Sequence, residues 1–200
     1  TEIYTLSLHD ALPISAGTHI NTLVDNVSRR VMNQWSFPFG CTIHFRFAPI
    51  AGQPAPQLFW YDGGMRPRTP EEMANEEQGL PSQGILFVGD KGKIIAGFMG
   101  QEPQLLTSTG RKPLWQAMGV EKPAEPQHDG PSWLPAMRGA LNTPGDFAAS
   151  EAITDTTNLG AIALQARTLV KFDAVNMKIT NVERANRLLY REYRDGWKLA

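Results

Sequence analysis

A single cysteine, Cys41, is all the thiol chemistry that this 200-residue chain holds. One cysteine excludes an internal disulfide framework and a cysteine-rich zinc site. It lies in the apparent strand Cys41-Thr42-Ile43-His44-Phe45, where a small buried thiol is the plainest reading. No apolar run approaches the roughly 20 residues that span a bilayer, so no membrane partner is expected. An excess of one charge is missing too. Nineteen basic residues face 20 acidic ones for a net charge of -1, which leaves no electrostatic footprint for nucleic acid. Neither G-x-G-x-x-G nor G-x-x-x-x-G-K-[ST] occurs, because Gly89, Gly92 and Gly97 are wrongly spaced for both, so no phosphate-cradling loop is encoded. Histidines and carboxylates do not cluster at metal-ligand spacing, and no G-x-S-x-G elbow is present. What remains is 42% hydrophobic and 20% charged, the balance of one ordinary globular domain.

Residues 1–14 read TEIYTLSLHDALPI. A widely used sequencing-library adapter, translated in one frame, gives this string codon for codon. Residues 1–15 are therefore read as a non-native, adapter-derived segment and set aside from fold reasoning, like a fusion scar. His9-Asp10 accordingly receives no weight as a catalytic pair, and few specific contacts are expected from the segment. Without Glu2 and Asp10 the acidic count falls from 20 to 18 against 19 basic residues. Residues 16–200 are left as one domain, truncated at its start.

From Thr42 the sequence alternates, with Ile43, Phe45 and Phe47 on one face and Thr42, His44 and Arg46 on the other, the mark of a half-buried strand. His44 is then a solvent-facing or cross-strand residue. A second strand, Leu58-Phe59-Trp60-Tyr61, ends at Asp62-Gly63-Gly64, where glycine suits a sharp turn. Thr69, Pro70 and Glu72 fit the start of a short helix with a capping box. Residues 85–88 and 93–98 form a hairpin across Gly89-Asp90-Lys91-Gly92, and a loop then runs to about Gly130. Ser132 caps a short helix through Trp133, Leu134, Met137 and Ala140. Ser150 caps a longer one reaching Arg167, with Ile153, Thr157, Gly160 and Leu164 in one stripe. Gly160 inside a helix costs roughly 1 kcal/mol against alanine, which implies close packing on a sheet. Strands at 170–173 and 177–179 and a polar helix at 183–193 complete the chain, with Ala185, Leu188 and Leu189 facing inward. The order predicts an α+β fold: an open, mostly antiparallel sheet with helices packed on one face. Ile43, Phe45 and Phe47 are expected to share a face with the 85–98 hairpin beneath Gly160, leaving an opposite face with side chains such as Phe87 exposed.

Four segments occur in order: LFWYDGGMRPRTPEE, LPSQGILFVGDKGKIIAGFMGQEPQLL, WLPAMRGALNTPGDFAASEAITDTTNLGAIALQA and VKFDAVNMKITNVERANRLLYREYRDGW. Together they resemble the C-terminal domain of bacterial Gfo/Idh/MocA-like oxidoreductases, from about residue 35 to the end. The resemblance implies an enzyme that uses NAD or NADP and acts on a sugar or polyol derivative. In such enzymes a separate N-terminal Rossmann domain holds the cofactor. The C-terminal domain supplies substrate-pocket and homo-oligomer surfaces. The family's catalytic histidine would fall before residue 16, so no catalytic residue is assigned, and this chain alone is expected to bind no cofactor. Glu121-Lys122-Pro123 spells a family motif but sits in the long loop, far from any Rossmann strand, and is read as coincidence. An NAD-dependent glycosidase of the same superfamily and a stand-alone binding or dimerisation module are the alternatives. The compartment, bacterial cytoplasm or periplasm, stays open, because any signal would lie upstream.

Four residues are candidates for the substrate side. Trp60, Tyr61 and Asp62 end a strand with aromatics and a carboxylate, a combination suited to gripping a sugar. Their plainer reading is an aromatic core pair and a turn aspartate. His128, beside Asp129 in a loop able to face a cleft, is the fourth, with a solvated loop as its plainer reading. Tyr190, Arg191, Tyr193, Arg194 and Trp197 are read as docking the terminal helix.

Overall fold

The computed structural model describes residues 8–16, 19–32, 37–49, 52, 54–77, 79–124, 134, 137–139 and 147–197. It divides into two compact units, residues 1–65 with 131–200 and residues 66–130. The fold is α+β, with open antiparallel sheets. Among the described residues no helix is long and apolar enough to cross a membrane.

The first unit is built on five strands: β1 (Leu8–Ala16), β4 (Cys41–Phe47), β5 (Gln57–Tyr61), β10 (Val170–Asp173) and β11 (Lys178–Ile179). Their order is β11-β10-β1-β4-β5, antiparallel at every pairing. A separate hairpin, β2 (His19–Val24) and β3 (Val27–Met32), turns through Asp25 and Asn26 at φ 53° and 61°. Two successive left-handed residues suit the right-handed twist of a two-residue hairpin, and Asp and Asn tolerate that region best after glycine.

The helix α2 (Phe147–Ala166) lies chiefly over β1, with β4 and β10 to either side. Strand alternation dictates what it meets. Paired residues share a face, so Ala11 lines up with Phe45 and Val170. These three are buried with Cys41, Ile43 and Phe172 against Leu159, Ile162, Ala163 and Ala166 of the helix. A Cβ on Gly160 would stand 2.8 Å from Cζ of Phe45 and 3.3 Å from Cδ1 of Ile43. The absence of a side chain there is what lets helix and sheet approach, as the mid-helix glycine implied. Burial is confined to the second half of the helix: Ile153 and Thr157, assigned to the same stripe, are exposed. Ser150 is not its cap, since the helix begins at Phe147 and the Ser150 carbonyl accepts a hydrogen bond from Thr154 Oγ1.

Two expectations are overturned in this unit. Residues 1–15 were expected to contact little, yet β1 is the central strand. Asp10 and Ala11 are 1% and 0% exposed, and Arg46 grips Asp10 through both carboxylate oxygens at 2.8 and 2.9 Å. The physical reason is pairing: among the described residues β1 is the strand that joins β4 to β10. A small residue beneath α2 and an acid beside Arg46 suit that place. The 85–98 hairpin was also expected to join β4. Both edges of β4 are taken, by β1 and β5, and the hairpin belongs to the other unit.

The second unit is a four-stranded meander: β6 (Ile85–Gly89), β7 (Gly92–Ala96), β8 (Gln104–Thr107) and β9 (Gly110–Pro113), followed by the short helix α1 (Leu114–Met118). The last three elements replace the loop expected there. One face of the meander buries Ile95 and Leu106 against Met73 and Leu80, with Leu86 alongside. The other carries Ile85, Phe87, Ile94 and Leu105 by alternation, and Phe87 is 54% exposed. The expected helix near Thr69 is one 3-10 turn, Glu71–Met73, whose N-cap is Pro70 without a side-chain bond. Glu72 does not close a capping box, because its carboxylate takes two 2.8 Å hydrogen bonds from Lys93. Glu76 likewise receives Arg111.

These two ion pairs strap the 71–80 segment to the sheet. Hydrogen bonding to Lys93 and to Arg111 holds the Glu72 and Glu76 carboxyls below their ordinary value of 4.5. A depressed carboxyl adds stability that is present above its unfolded value and lost as the pH falls through the native one. Acidification below 4.5 is therefore expected to loosen this segment, modestly because both carboxyls meet solvent. Protection factors of residues 71–77, 79 and 80, corrected for the slower intrinsic exchange in acid, should fall. Lys93→Met should flatten that pH dependence.

At the C-terminal end, the expected helix over 183–193 is a 3-10 helix, Glu183–Leu188. Asn186 explains its position: the side chain accepts from the Ile179 N–H at 2.8 Å and donates to the Ile179 carbonyl at 2.9 Å. Ala185 is buried, and Leu188 and Leu189 pack against the core, as expected. Tyr190, Tyr193 and Trp197 lie beyond the helix and are exposed, and the Tyr190 hydroxyl donates to the Met177 carbonyl at 3.3 Å. The expected helix from Ser132 falls largely outside the described residues; Leu134 and Met137 are exposed.

Candidate functional site

The end of β5 is where three of the four candidate residues fall, and the pleat separates them. Trp60 pairs with Ile43, which faces α2, whereas Tyr61 pairs with Thr42 on the opposite face. Asp62 joins Trp60: the indole Nε1 donates to its Oδ2 at 3.2 Å. Trp60, Tyr61 and Asp62 therefore do not form one cluster. His128 lies outside the described residues.

Asp62 is held by the protein itself. The Cys41 N–H donates to Oδ1 at 2.5 Å and the Cys41 thiol to Oδ2 at 3.4 Å. In return the Asp62 N–H donates to the Cys41 carbonyl at 3.1 Å. With the indole, three of roughly four acceptor positions on the carboxylate are filled. The geometry matches the plainer reading of Asp62 as a turn aspartate, and its bonds to Cys41 lock the strand end. Gly63 completes it at φ 60°, where a Cβ would stand 2.3 Å from Gly40 Cα, so only glycine fits.

The same lock silences the thiol. Burial first, then the hydrogen bond and charge of Asp62, push Cys41 up to about 12. A thiolate is the reactive form, so Cys41 is expected to resist an aromatic disulfide reagent at neutral pH in the folded chain. In urea, one thiol per chain should react. Asp62→Ala should speed labelling of the folded protein by removing the hydrogen bond that holds the proton. Sequence reasoning placed Cys41 in a strand but did not pair it with Asp62. In the sequence, 20 residues separate the two, and nothing local reveals the β4–β5 register that sets them opposite each other.

The sheet face away from α2 carries the chemistry that remains. His44 stacks on Phe59 with ring centroids 4.2 Å apart and 9° between planes, and its Nε2 is 2.8 Å from Gln57 Oε1. His44 is thus a cross-strand residue, as the alternation indicated. Among the described residues no group of three or more His, Cys, Asp or Glu side chains is placed to hold a metal ion. Trp60, on the α2 side of the edge strand β5, is 45% exposed. No protein-family model matches this chain, and no curated protein or solved structure shows significant similarity to it.

Proposed function

We propose that this chain is the substrate-side and oligomerisation part of a nicotinamide-dependent oxidoreductase of the Gfo/Idh/MocA type, acting on a sugar or polyol derivative. The observation that carries the reading is the ordered set of four segments, from LFWYDGG to REYRDGW. The architecture is compatible with it: an open antiparallel sheet, backed on one face by a helix that packs through Gly160. On this reading NAD or NADP is held by a Rossmann domain encoded upstream, and the catalytic histidine falls before residue 16, near the start of the C-terminal domain. The exposed face of Trp60 offers an apolar surface on which a pyranose ring can stack. The aliphatic face bearing Ile85, Phe87 and Ile94 is the surface proposed to meet a second subunit.

Genomic DNA upstream of codon 16 tests this reading. A strand, a G-x-G-x-x-G turn and a helix are expected there in frame. A start codon at that position, with no such segment before it, would overturn the reading in favour of a stand-alone module.

A further inference from the structure

A groove runs along the first unit between α2 and residues 188–191, enclosing about 340 Å3. That is the lower end of the range of small-molecule pockets, roughly 300–1,000 Å3, and suits a ligand far smaller than a dinucleotide. Its floor is apolar: Leu159, Ile162 and Phe172. Positions 155, 158 and 162 follow one another at helical spacing and so line the same side of α2. Asp155 and Asn158 form that wall, and Arg191 lies on the opposing one.

The charges define the ligand. Asp155 and Arg191 carry opposite signs, yet among the described residues neither side chain has an ion-pair or hydrogen-bond partner, including the other. Both side chains meet solvent, so a neutral polyol would leave their charges to water, whereas a zwitterion pairs with both. We propose that the groove binds a small zwitterion with an apolar side chain, an α-amino acid of the leucine or phenylalanine kind. Its carboxylate meets the Arg191 guanidinium, its ammonium meets Asp155, and its side chain covers the floor. Charge-assisted hydrogen bonds at both ends make this match stronger than neutral contacts would be. The site is independent of the oxidoreductase reading, since it uses neither cofactor nor Trp60.

Calorimetric titration of the full chain tests it with L-leucine, N-acetyl-L-leucine, L-leucinamide and D-glucose. Saturable leucine binding is expected, weakened about tenfold or more when either end of the ligand is blocked. Asp155→Asn should erase the preference over N-acetyl-leucine, and Arg191→Gln the preference over leucinamide. Neither side chain is part of the core, so circular dichroism should show both variants folded. No saturation by leucine up to roughly 10 mM, glucose binding as tightly as leucine, or unchanged preferences in the folded variants would each overturn the proposal.

Discussion

Ala11→Arg is expected to abolish the cooperative unfolding of the five-stranded unit. Ala11 has no exposed surface, pairs with Phe45 on one side and Val170 on the other, and lies beneath α2. An arginine there must either bury an unpaired charge or push the helix off the sheet. The cost is on the order of 5 kcal/mol, comparable with the whole stability of an ordinary domain. Urea unfolding followed by far-ultraviolet circular dichroism should show the transition lost or moved to very low denaturant. The substitution also decides what the adapter-like segment is physically. A passenger segment would tolerate the arginine with no change in midpoint; a central strand would not.

Phe45→Ala should cost about 3–5 kcal/mol, the usual penalty for a buried phenylalanine that leaves a cavity. Gly160→Ala is more informative because two effects oppose each other. Alanine gains about 1 kcal/mol in a helix interior, but its methyl would sit 2.8 Å from the Phe45 ring, an overpacking worth about 1–3 kcal/mol. Steric conflict wins, since a ring closed in by the sheet has little room to yield, and the single substitution is expected to destabilise. In the Phe45→Ala background the ring is gone and the sign should reverse, with Gly160→Ala stabilising by up to about 1 kcal/mol. A double-mutant cycle in urea reads this directly. Additivity would mean that Gly160 and Phe45 do not touch.

The alternation of Ile43, Phe45 and Phe47 and the glycine in a helical stripe were enough to locate the helix–sheet contact in the sequence. Both signals report a local face needing cover. Sheet membership was not legible, because period-two alternation says which way a side chain points and nothing about which strand lies beside it. The 85–98 hairpin was therefore recognised but assigned to the wrong sheet. Strands of four residues, such as β8 and β9, are too short to show a period, and Pro103 and Pro113 made them read as loop. The Glu72 capping box failed for a different reason: a partner distant in sequence, Lys93, captured the carboxylate. At the site, Trp60-Tyr61-Asp62 looked like one constellation in the sequence, although adjacent strand residues point to opposite faces. Asp10 was set aside on the origin of its codons, whereas the fold responds only to the side chain that meets Arg46.

The most direct measurement of the proposed role is a nicotinamide-fluorescence titration of two proteins side by side, this chain and the product of the intact gene. No glycine-rich phosphate loop is encoded in residues 1–200, so NADH should leave the fluorescence of the chain unsaturated. On the proposed reading, the product of the gene with its upstream segment should bind it with a dissociation constant in the micromolar range. Saturable one-to-one binding of NADH by the chain alone, at micromolar concentration, would contradict the account.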